Sequence, residues 1–127
     1  MNKSSDKSAL GRHICIDYYG CKYDTINDSD KVQSIMLQAA EVSGAKVLHT
    51  YFHSFEPHGV SGIIVIAESH FSVHAWPENA FAAVDLFACY DSIDFERAIE
   101  SIFKSFGADS YKIAADLDRG ASLKNNI

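Results

Sequence analysis

One stretch, residues 60–90, constrains the fold more than any other part of the chain. It opens with the apolar, β-branched residues 63–66, which predict a central strand buried on both faces. Polar and apolar residues then alternate over residues 70–76, as they do in a half-buried strand. Residues 77–80 predict a turn because they begin with proline and include asparagine. A second apolar run follows, so the stretch predicts two antiparallel strands joined by a short loop.

The short loop predicts which residues of the two strands face each other. With the loop centred on Glu78 and Asn79, the numbers of facing residues sum to about 157. Cys89 is therefore expected within about two residues of Glu68 and Ser69. Those two polar residues interrupt the apolar run without the Gly, Pro or Asn that normally relieves a bend. The hairpin thus predicts a hydroxyl and a thiol at one place in the fold.

Two amphipathic helices are predicted outside this stretch. The first is capped by Asp28 or Ser29 and ended by Gly44, and its apolar residues form one stripe. The second is capped by Ser92, carries a similar stripe and ends at Gly107. Such stripes are typical of ordinary core packing.

The predicted elements follow the order strand, helix, four strands, helix, strand. The closing strand is expected over residues 110–115, with a frayed polar segment from Asp116 onward. Short loops favour antiparallel pairing, and two helices cover only one face of a sheet. The expected fold class is therefore α+β, a two-layer sandwich of a mainly antiparallel β-sheet with two helices on one face. The other face carries aromatic residues and histidines, so it needs a ligand or a partner chain.

Length and charge limit the domain organisation and the function. The 127 residues suffice for one domain. It is expected over residues 11–120, between a flexible tail at residues 1–10 and a frayed end at residues 121–127. The net charge of −6 argues against nucleic-acid binding. Since neither a membrane-length apolar segment nor a signal peptide is found, the expected location is the cytoplasm.

The spacing of cysteines and histidines predicts neither a disulfide framework nor a metal site. The three cysteines cannot all pair, and they lack a C-x-x-C spacing. The six histidines are scattered without a recognised ligand pattern. Exposed or core histidines are the plainer interpretation.

A series of short strings resembles the prokaryotic S-adenosylmethionine decarboxylase proenzymes in order and spacing. They lie at residues 11–13, 19–21, 52–57, 59–62, 67–70, 74–78 and 85–89. Each string alone is weak, but together they cover the expected domain. The resemblance implies a pyruvoyl-dependent decarboxylase of S-adenosylmethionine that serves spermidine and polyamine biosynthesis. It also implies a homodimer with active sites near the subunit interface.

The resemblance further implies a zymogen that cleaves itself between Glu68 and Ser69. The Ser69 hydroxyl attacks the Glu68 carbonyl, and the resulting ester breaks down to leave a pyruvoyl group on the downstream chain. Decarboxylation of an amino acid needs such a carbonyl, which forms a Schiff base with the substrate and takes up an electron pair. The alternative, pyridoxal phosphate, needs a lysine, and the central motif contains none. A polar bend here would hold the peptide under strain and favour its cleavage.

Other catalytic roles also follow from the resemblance. Ser61 and His74 match residues that assist self-processing, His74 as the proton acceptor. Cys89 matches the acid that protonates Cα, although free cysteines are more often small buried hydrophobes. On a straight strand ~17 Å would separate Ser69 from His74, so the chain is expected to bend for them to meet.

Substrate-binding roles are implied for Phe55, Trp76 and Glu78. Aromatic faces stack on adenine and a carboxylate holds ribose hydroxyls, although Trp76 taken alone would more often be plain packing. Three positions depart from the family pattern: Ala75, Ala88 and Tyr90. Because these departures affect pocket shape, a related pyruvoyl-dependent ornithine or arginine decarboxylase is the alternative.

A non-catalytic binding homologue is a further alternative, from a different functional class. The chain retains the residues that the resemblance assigns to the cleavage site, to self-processing and to catalysis: Ser61, Glu68, Ser69, His74 and Cys89. Their retention favours an enzyme.

Overall fold

The computed structural model describes residues 8–123, which form six strands and three α-helices. In chain order these are β1 (Gly11–Tyr19), α1 (Tyr23–Ile26), α2 (Ser29–Ser43), β2 (Val47–Ser54), β3 (Val60–Ile66), β4 (Ser69–Trp76), β5 (Phe81–Cys89), α3 (Phe95–Ser105) and β6 (Ser110–Arg119). The strands form one antiparallel sheet in the order β2-β3-β4-β5-β1-β6. Helices α2 and α3 pack against each other over one face of the sheet. The predicted α+β sandwich is confirmed.

The β4–β5 hairpin has the register that the loop predicts. Ser69 pairs with Ala88, and Trp76 pairs with Phe81. The loop between them is a 3₁₀ turn over Pro77–Asn79, in which the proline occupies the first turn, where its missing N–H is not needed.

The chain enters β4 through a tight turn from β3. Ile66 pairs directly with Ser69, so Ala67 and Glu68 alone form the connection. Neither of them, nor Ser69, has a positive φ. The backbone therefore gives no support to the expected strain at the Glu68–Ser69 peptide.

Both long helices begin at aspartate caps. The Asp28 side chain accepts hydrogen bonds from two backbone N–H groups of the first turn of α2, and Gly44 ends that helix with a φ of 86°. The prediction that Ser92 caps α3 is wrong, because the Asp94 side chain accepts the Arg97 N–H there. The Ser92 hydroxyl instead donates to the backbone carbonyl of Cys89.

The sheet face without helices, here called the open face, exposes many apolar groups. Ile64 and Ile66 are buried under the helices, whereas Ile63 and Val65 are 39% and 37% exposed on the open face. The prediction that residues 63–66 are buried on both faces is therefore wrong for a single chain, because the helices cover one face only. Other exposed apolar side chains on the open face are Tyr51, Trp76 and Leu117.

Strand β6 is longer than predicted. It continues to Arg119, so the expectation of a frayed segment from Asp116 onward is wrong. Arg12 of β1 forms a bidentate ion pair with Asp116, through contacts of 3.0 and 2.8 Å, and so secures this end of the strand.

The expected flexible ends lie largely outside the described residues. Within the described part, Ala9 is fully buried and the Leu10 N–H donates to the Gly120 carbonyl. A domain over residues 11–120 remains our proposal. Among the described residues, no helix is long and apolar enough to cross a membrane.

Candidate active site

Ser69 and Cys89 line one cavity, here called the Ser69 cavity. The Cys89 Sγ lies 3.6 Å from the carbonyl oxygen of Glu68, as the hairpin register predicts. The Ser69 Oγ lies 3.4 Å from Nδ1 of His70, and burial and the proximity of His13 lower the pKa of His70. The cavity measures about 300 Å³ and is lined by Leu10, Gly11, Glu68, Ser69, Phe87, Ala88, Cys89, Arg119 and Gly120. The scissile peptide predicted from the sequence thus lies beside a thiol and a histidine.

A second cavity, here called the Trp76 cavity, contains the predicted nucleoside-binding side chains. It measures about 320 Å³ and is lined by Phe55, His58, Gly59, Ser61, His74, Ala75, Trp76 and Glu78. The Ser61 Oγ lies 2.9 Å from Nδ1 of His74, so these two side chains share a hydrogen bond. His58, which the sequence analysis did not assign, places its Nε2 3.5 Å from Oε1 of Glu78. The sequence signal for this role of His58 was its position directly after the string at residues 52–57, which contains Phe55.

The two cavities lie at opposite ends of β4. Ser69 is the first residue of the strand and Trp76 the last, so they are roughly 23 Å apart at 3.3 Å per residue. The expected bend between Ser69 and His74 does not occur. Strand β4 pairs without a bulge with β3 on one side and β5 on the other, and this double ladder keeps it extended. Within one chain the structure therefore separates Ser69 and Cys89 from Ser61 and His74.

The three positions that are expected to depart from the family pattern differ in whether they line one of these cavities. Ala88 lines the Ser69 cavity and Ala75 lines the Trp76 cavity. Tyr90 lines neither of the two, because its buried side chain points towards α3 and its hydroxyl donates to Asp118.

A polar cluster that was not predicted from the sequence lies between the cavities on the open face. Nε2 of His13 lies 3.5 Å from Asp85 Oδ1 and 3.9 Å from Cys15 Sγ, and the Ser72 hydroxyl donates to Asp85. Burial raises the pKa of Asp85, but hydrogen bonds from Cys15 and Ser72 and the nearby His13 outweigh it, so the net shift is downward. Burial and the same carboxylate raise the pKa of Cys15 to about 11. Alternation along β1 was the sequence signal, since it places residues 13 and 15 on one face.

This cluster fits a hydrogen-bond network better than a metal site. The ligand atoms of His13, Cys15 and Asp85 do lie within 4.8 Å of one another. A metal-bound histidine, however, normally donates its other ring N–H to an acceptor. Nδ1 of His13 instead faces Nη1 of Arg119 at 3.3 Å, and a guanidinium only donates. His13 therefore accepts from Arg119 and carries its proton on Nε2, towards Asp85.

The chain is similar to known proteins over nearly all of its length. A family model described as S-adenosylmethionine decarboxylase matches residues 12–120. The S-adenosylmethionine decarboxylase proenzyme of Carboxydothermus hydrogenoformans is 44% identical over 92% of this chain and 91% of its own. That of Syntrophomonas wolfei is 42% identical over 88% of each chain.

Solved structures agree with these relatives. The crystal structure of the adenosylmethionine decarboxylase from Aquifex aeolicus superimposes with a TM-score of 0.81 at 29% identity, covering 88% of this chain and 92% of its own. The Trypanosoma brucei AdoMetDC-delta26 monomer has a TM-score of 0.59 at 12% identity, over 79% of this chain and 43% of its own, and so shares the fold. By its sequence match and its fold, the chain belongs to the S-adenosylmethionine decarboxylase family.

Proposed function

We propose that this protein decarboxylates S-adenosylmethionine after cutting itself between Glu68 and Ser69. The family carries a self-generated pyruvoyl group, and its named members act on S-adenosylmethionine. The observation that carries the proposal is the 3.6 Å contact between the Cys89 thiol and the carbonyl oxygen of Glu68. It brings the proton donor of the reaction to the peptide from which the pyruvoyl group is made. The amine product supplies aminopropyl groups for spermidine synthesis, and we place the enzyme in the cytoplasm.

Ser69 is the nucleophile of self-processing in this proposal. Its hydroxyl attacks the carbonyl carbon of Glu68, and the C–N bond breaks to give an ester. Removal of the Ser69 Cα proton then expels the Glu68 carboxylate, and addition of water with loss of ammonia leaves the pyruvoyl group at the start of residues 69–127. The tight β3–β4 turn suits this chemistry, because Ser69 lines an open cavity there. The Glu68 carbonyl that Ser69 attacks faces the Cys89 thiol.

In the decarboxylation itself, the chain's own side chains bind the substrate and deliver a proton to it. The pyruvoyl carbonyl supplies the electron sink for the pair left on Cα when carbon dioxide departs. Cys89 holds a proton at Sγ beside that carbon. Trp76 and Phe55 offer stacking surfaces for the adenine, and Glu78 offers its carboxylate to ribose hydroxyls. Ser61 and His74, joined by a 2.9 Å hydrogen bond, serve self-processing, His74 as the proton acceptor.

The separation of the cavities leads us to propose a homodimer with shared active sites. Binding S-adenosylmethionine across both ends of one β4 strand would require a ligand about 23 Å long, which the molecule is not. Pairing the Ser69 cavity of one protomer with the Trp76 cavity of a second copy removes this difficulty. The apolar open face, with Ile63 and Val65 more than a third exposed, supplies the surface that such a dimer would bury.

A mixed dimer tests this arrangement. Ser69→Ala and Trp76→Ala chains are co-expressed with different tags and purified through both tags. If each site combines Ser69 of one protomer with Trp76 of the other, the mixed dimer has one intact site and about half the wild-type kcat/KM. We expect the Trp76→Ala homodimer to be much weaker, mainly through a raised KM. A mixed dimer no more active than the mean of its parents would refute the shared site.

A comparison of substrates tests the function. The wild-type enzyme, shown by intact mass to be cleaved, is given S-adenosylmethionine, ornithine or arginine at equal concentration, and carbon dioxide release is measured. S-adenosylmethionine is expected to react fastest, because the stacking and ribose contacts of the Trp76 cavity have nothing to bind in the other two. Faster release from ornithine or arginine would transfer the assignment to that substrate. No release from any of them would leave only a binding homologue.

A further inference from the structure

Arg119 is the cation of the Ser69 cavity. It lies at the end of β6 and lines the cavity together with Ser69 and Cys89. Its guanidinium forms no ion pair with any carboxylate of residues 8–123. Glu68, the carboxylate among the lining residues, accepts the Lys46 N–H instead. A guanidinium that lines a reaction cavity without an anionic partner offers its N–H donors to an anionic ligand.

Two neighbours hold the Arg119 guanidinium in place. Its Nη1 lies 3.3 Å from Nδ1 of His13, and its Cζ lies 5.4 Å from the centre of the Phe87 ring. His13 is itself stacked on Phe87, with ring centres 5.1 Å apart, and its far nitrogen faces Asp85. Within the described chain, Nη1 makes the one hydrogen bond of this guanidinium, so Nε and Nη2 keep their donors for a ligand.

Gly11 lines the Ser69 cavity between the cation and the thiol. It pairs with Cys89 on one side and with Arg119 on the other, so these two residues flank it about 10 Å apart. A Cβ on Gly11 would lie 2.8 Å from Cε1 of Phe87 and 3.3 Å from the Ala88 carbonyl oxygen. The absence of a side chain at Gly11 therefore lets the edge of the Phe87 ring lie close to the backbone there. The part of the Ser69 cavity between Cys89 and Arg119, lined also by Gly11 and Phe87, is here called the slot.

We propose that Arg119 binds the α-carboxylate of the amino-acid substrate in this slot. The inference rests on the proposed decarboxylation, which requires the substrate Cα near Cys89 and a carboxylate one bond away. The guanidinium donates Nε–H and Nη2–H to the two carboxylate oxygens, the fork geometry that arginine shares with no other cation. The contact of Nη1 with His13, whose far nitrogen faces Asp85, leaves this Nε and Nη2 edge of the guanidinium for the ligand.

The chemistry gives this contact a recognisable kinetic signature. The carboxylate carries its negative charge when the substrate binds and loses it as neutral carbon dioxide departs. An ion pair to it is thus stronger with bound substrate than in the transition state. Removing it is expected to raise KM and to leave kcat unchanged or moderately higher, because the bound substrate loses more stabilisation than the transition state does.

Arg119→Gln tests the proposal on cleaved enzyme. The KM for S-adenosylmethionine is expected to rise about 10-fold or more, with kcat within about threefold of wild type. The inhibition constant of the decarboxylated product, which lacks the carboxylate, is expected to change less than about twofold. Arg119→Lys keeps the charge without the fork and should fall between the two. Lys112→Gln, which removes an exposed cation from the same strand, is the matched control.

A second measurement does not depend on turnover or on cleavage. In a Ser69→Ala background, binding is followed through the fluorescence of Trp76, the single tryptophan of the chain. Adding Arg119→Gln is expected to weaken binding of S-adenosylmethionine about 10-fold and to leave binding of its methyl ester unchanged.

The outcomes separate this inference from the function on which it rests. If Arg119→Gln of normal dimer size weakens binding of S-adenosylmethionine and of its methyl ester equally, or of substrate and product equally, then Arg119 supports the fold. Either result would overturn the carboxylate site alone. Unchanged binding of all ligands overturns it too. A wild-type protein that decarboxylates none of the three amino acids overturns the proposed function instead.

Discussion

Ser69→Ala is expected to remain one chain of 127 residues, while the wild-type protein separates under denaturing conditions into residues 1–68 and 69–127. The substitution removes the hydroxyl that attacks the Glu68 carbonyl and leaves the β3–β4 turn intact. Because residue 69 carries no other nucleophile, cleavage should fall below detection, and decarboxylation should fall with it. Denaturing electrophoresis and intact mass, which also reports the loss of ammonia, measure both effects.

A matched control is available elsewhere in the sheet. Ser110 is the first residue of β6, as Ser69 is the first residue of β4, and it is exposed. Ser110→Ala should therefore be cleaved like the wild type. Glu68→Gln should also be cleaved, because the reacting group is the backbone carbonyl and not the side chain. Cleavage of Ser69→Ala, or a wild-type chain that stays whole after prolonged incubation, would refute a pyruvoyl group made from Ser69.

Cys89→Ala is expected to be cleaved normally but to lose turnover by about 10²-fold or more. The thiol lies next to the Glu68–Ser69 peptide, within 3.6 Å of its carbonyl oxygen, and carries a proton that alanine lacks. Without a positioned acid, the proton that should reach the substrate Cα also arrives at residue 69. The substrate nitrogen then stays on the protein, and residue 69 becomes alanine. The variant should therefore inactivate progressively as it turns over.

Mass spectrometry of the downstream chain follows this second effect directly. Conversion of the pyruvoyl group to alanine changes its mass in proportion to turnovers, whereas a loss of packing leaves it unchanged. Cys21→Ala is the matched control, because Cys21 is a buried thiol that donates to the Tyr18 carbonyl away from both cavities. It should keep its activity per folded molecule. A fully cleaved Cys89→Ala enzyme with wild-type turnover and a stable pyruvoyl mass would rule out Cys89 as the proton donor.

The sequence by itself determined the local geometry of the β4–β5 hairpin and of helix α2. Period-two alternation and the Pro77 turn are properties of neighbouring residues, so they specify the pairing of Ser69 with Ala88 without knowledge of the rest of the fold. The Asp28 and Gly44 caps are likewise local. The sequence could not predict that Asp94 rather than Ser92 caps α3, because both residue types are good helix caps. The Ser92 hydroxyl donates to the Cys89 carbonyl instead, a contact that only the folded chain shows.

The contacts between distant strands were not determined by the sequence pattern. Strand β1 enters the sheet between β5 and β6, which brings His13 to Asp85 and to Arg119. Pairings over such separations depend on which sheet edges remain free after the hairpins form, and periodicity carries no information about that. The same insertion extends β6 through the ion pair of Arg12 with Asp116.

The separation of the two cavities was decided by the tertiary structure alone. From the sequence, a bend in β4 was expected because the proposed roles of Ser69 and His74 required the two residues to meet. The strand is instead extended, since its backbone hydrogen bonds are satisfied on both sides by β3 and β5, and a bend would break two ladders at once. The resemblance predicts that Ser69 and His74 act together, but the rigidity of a central strand places these two residues towards opposite ends of the protomer.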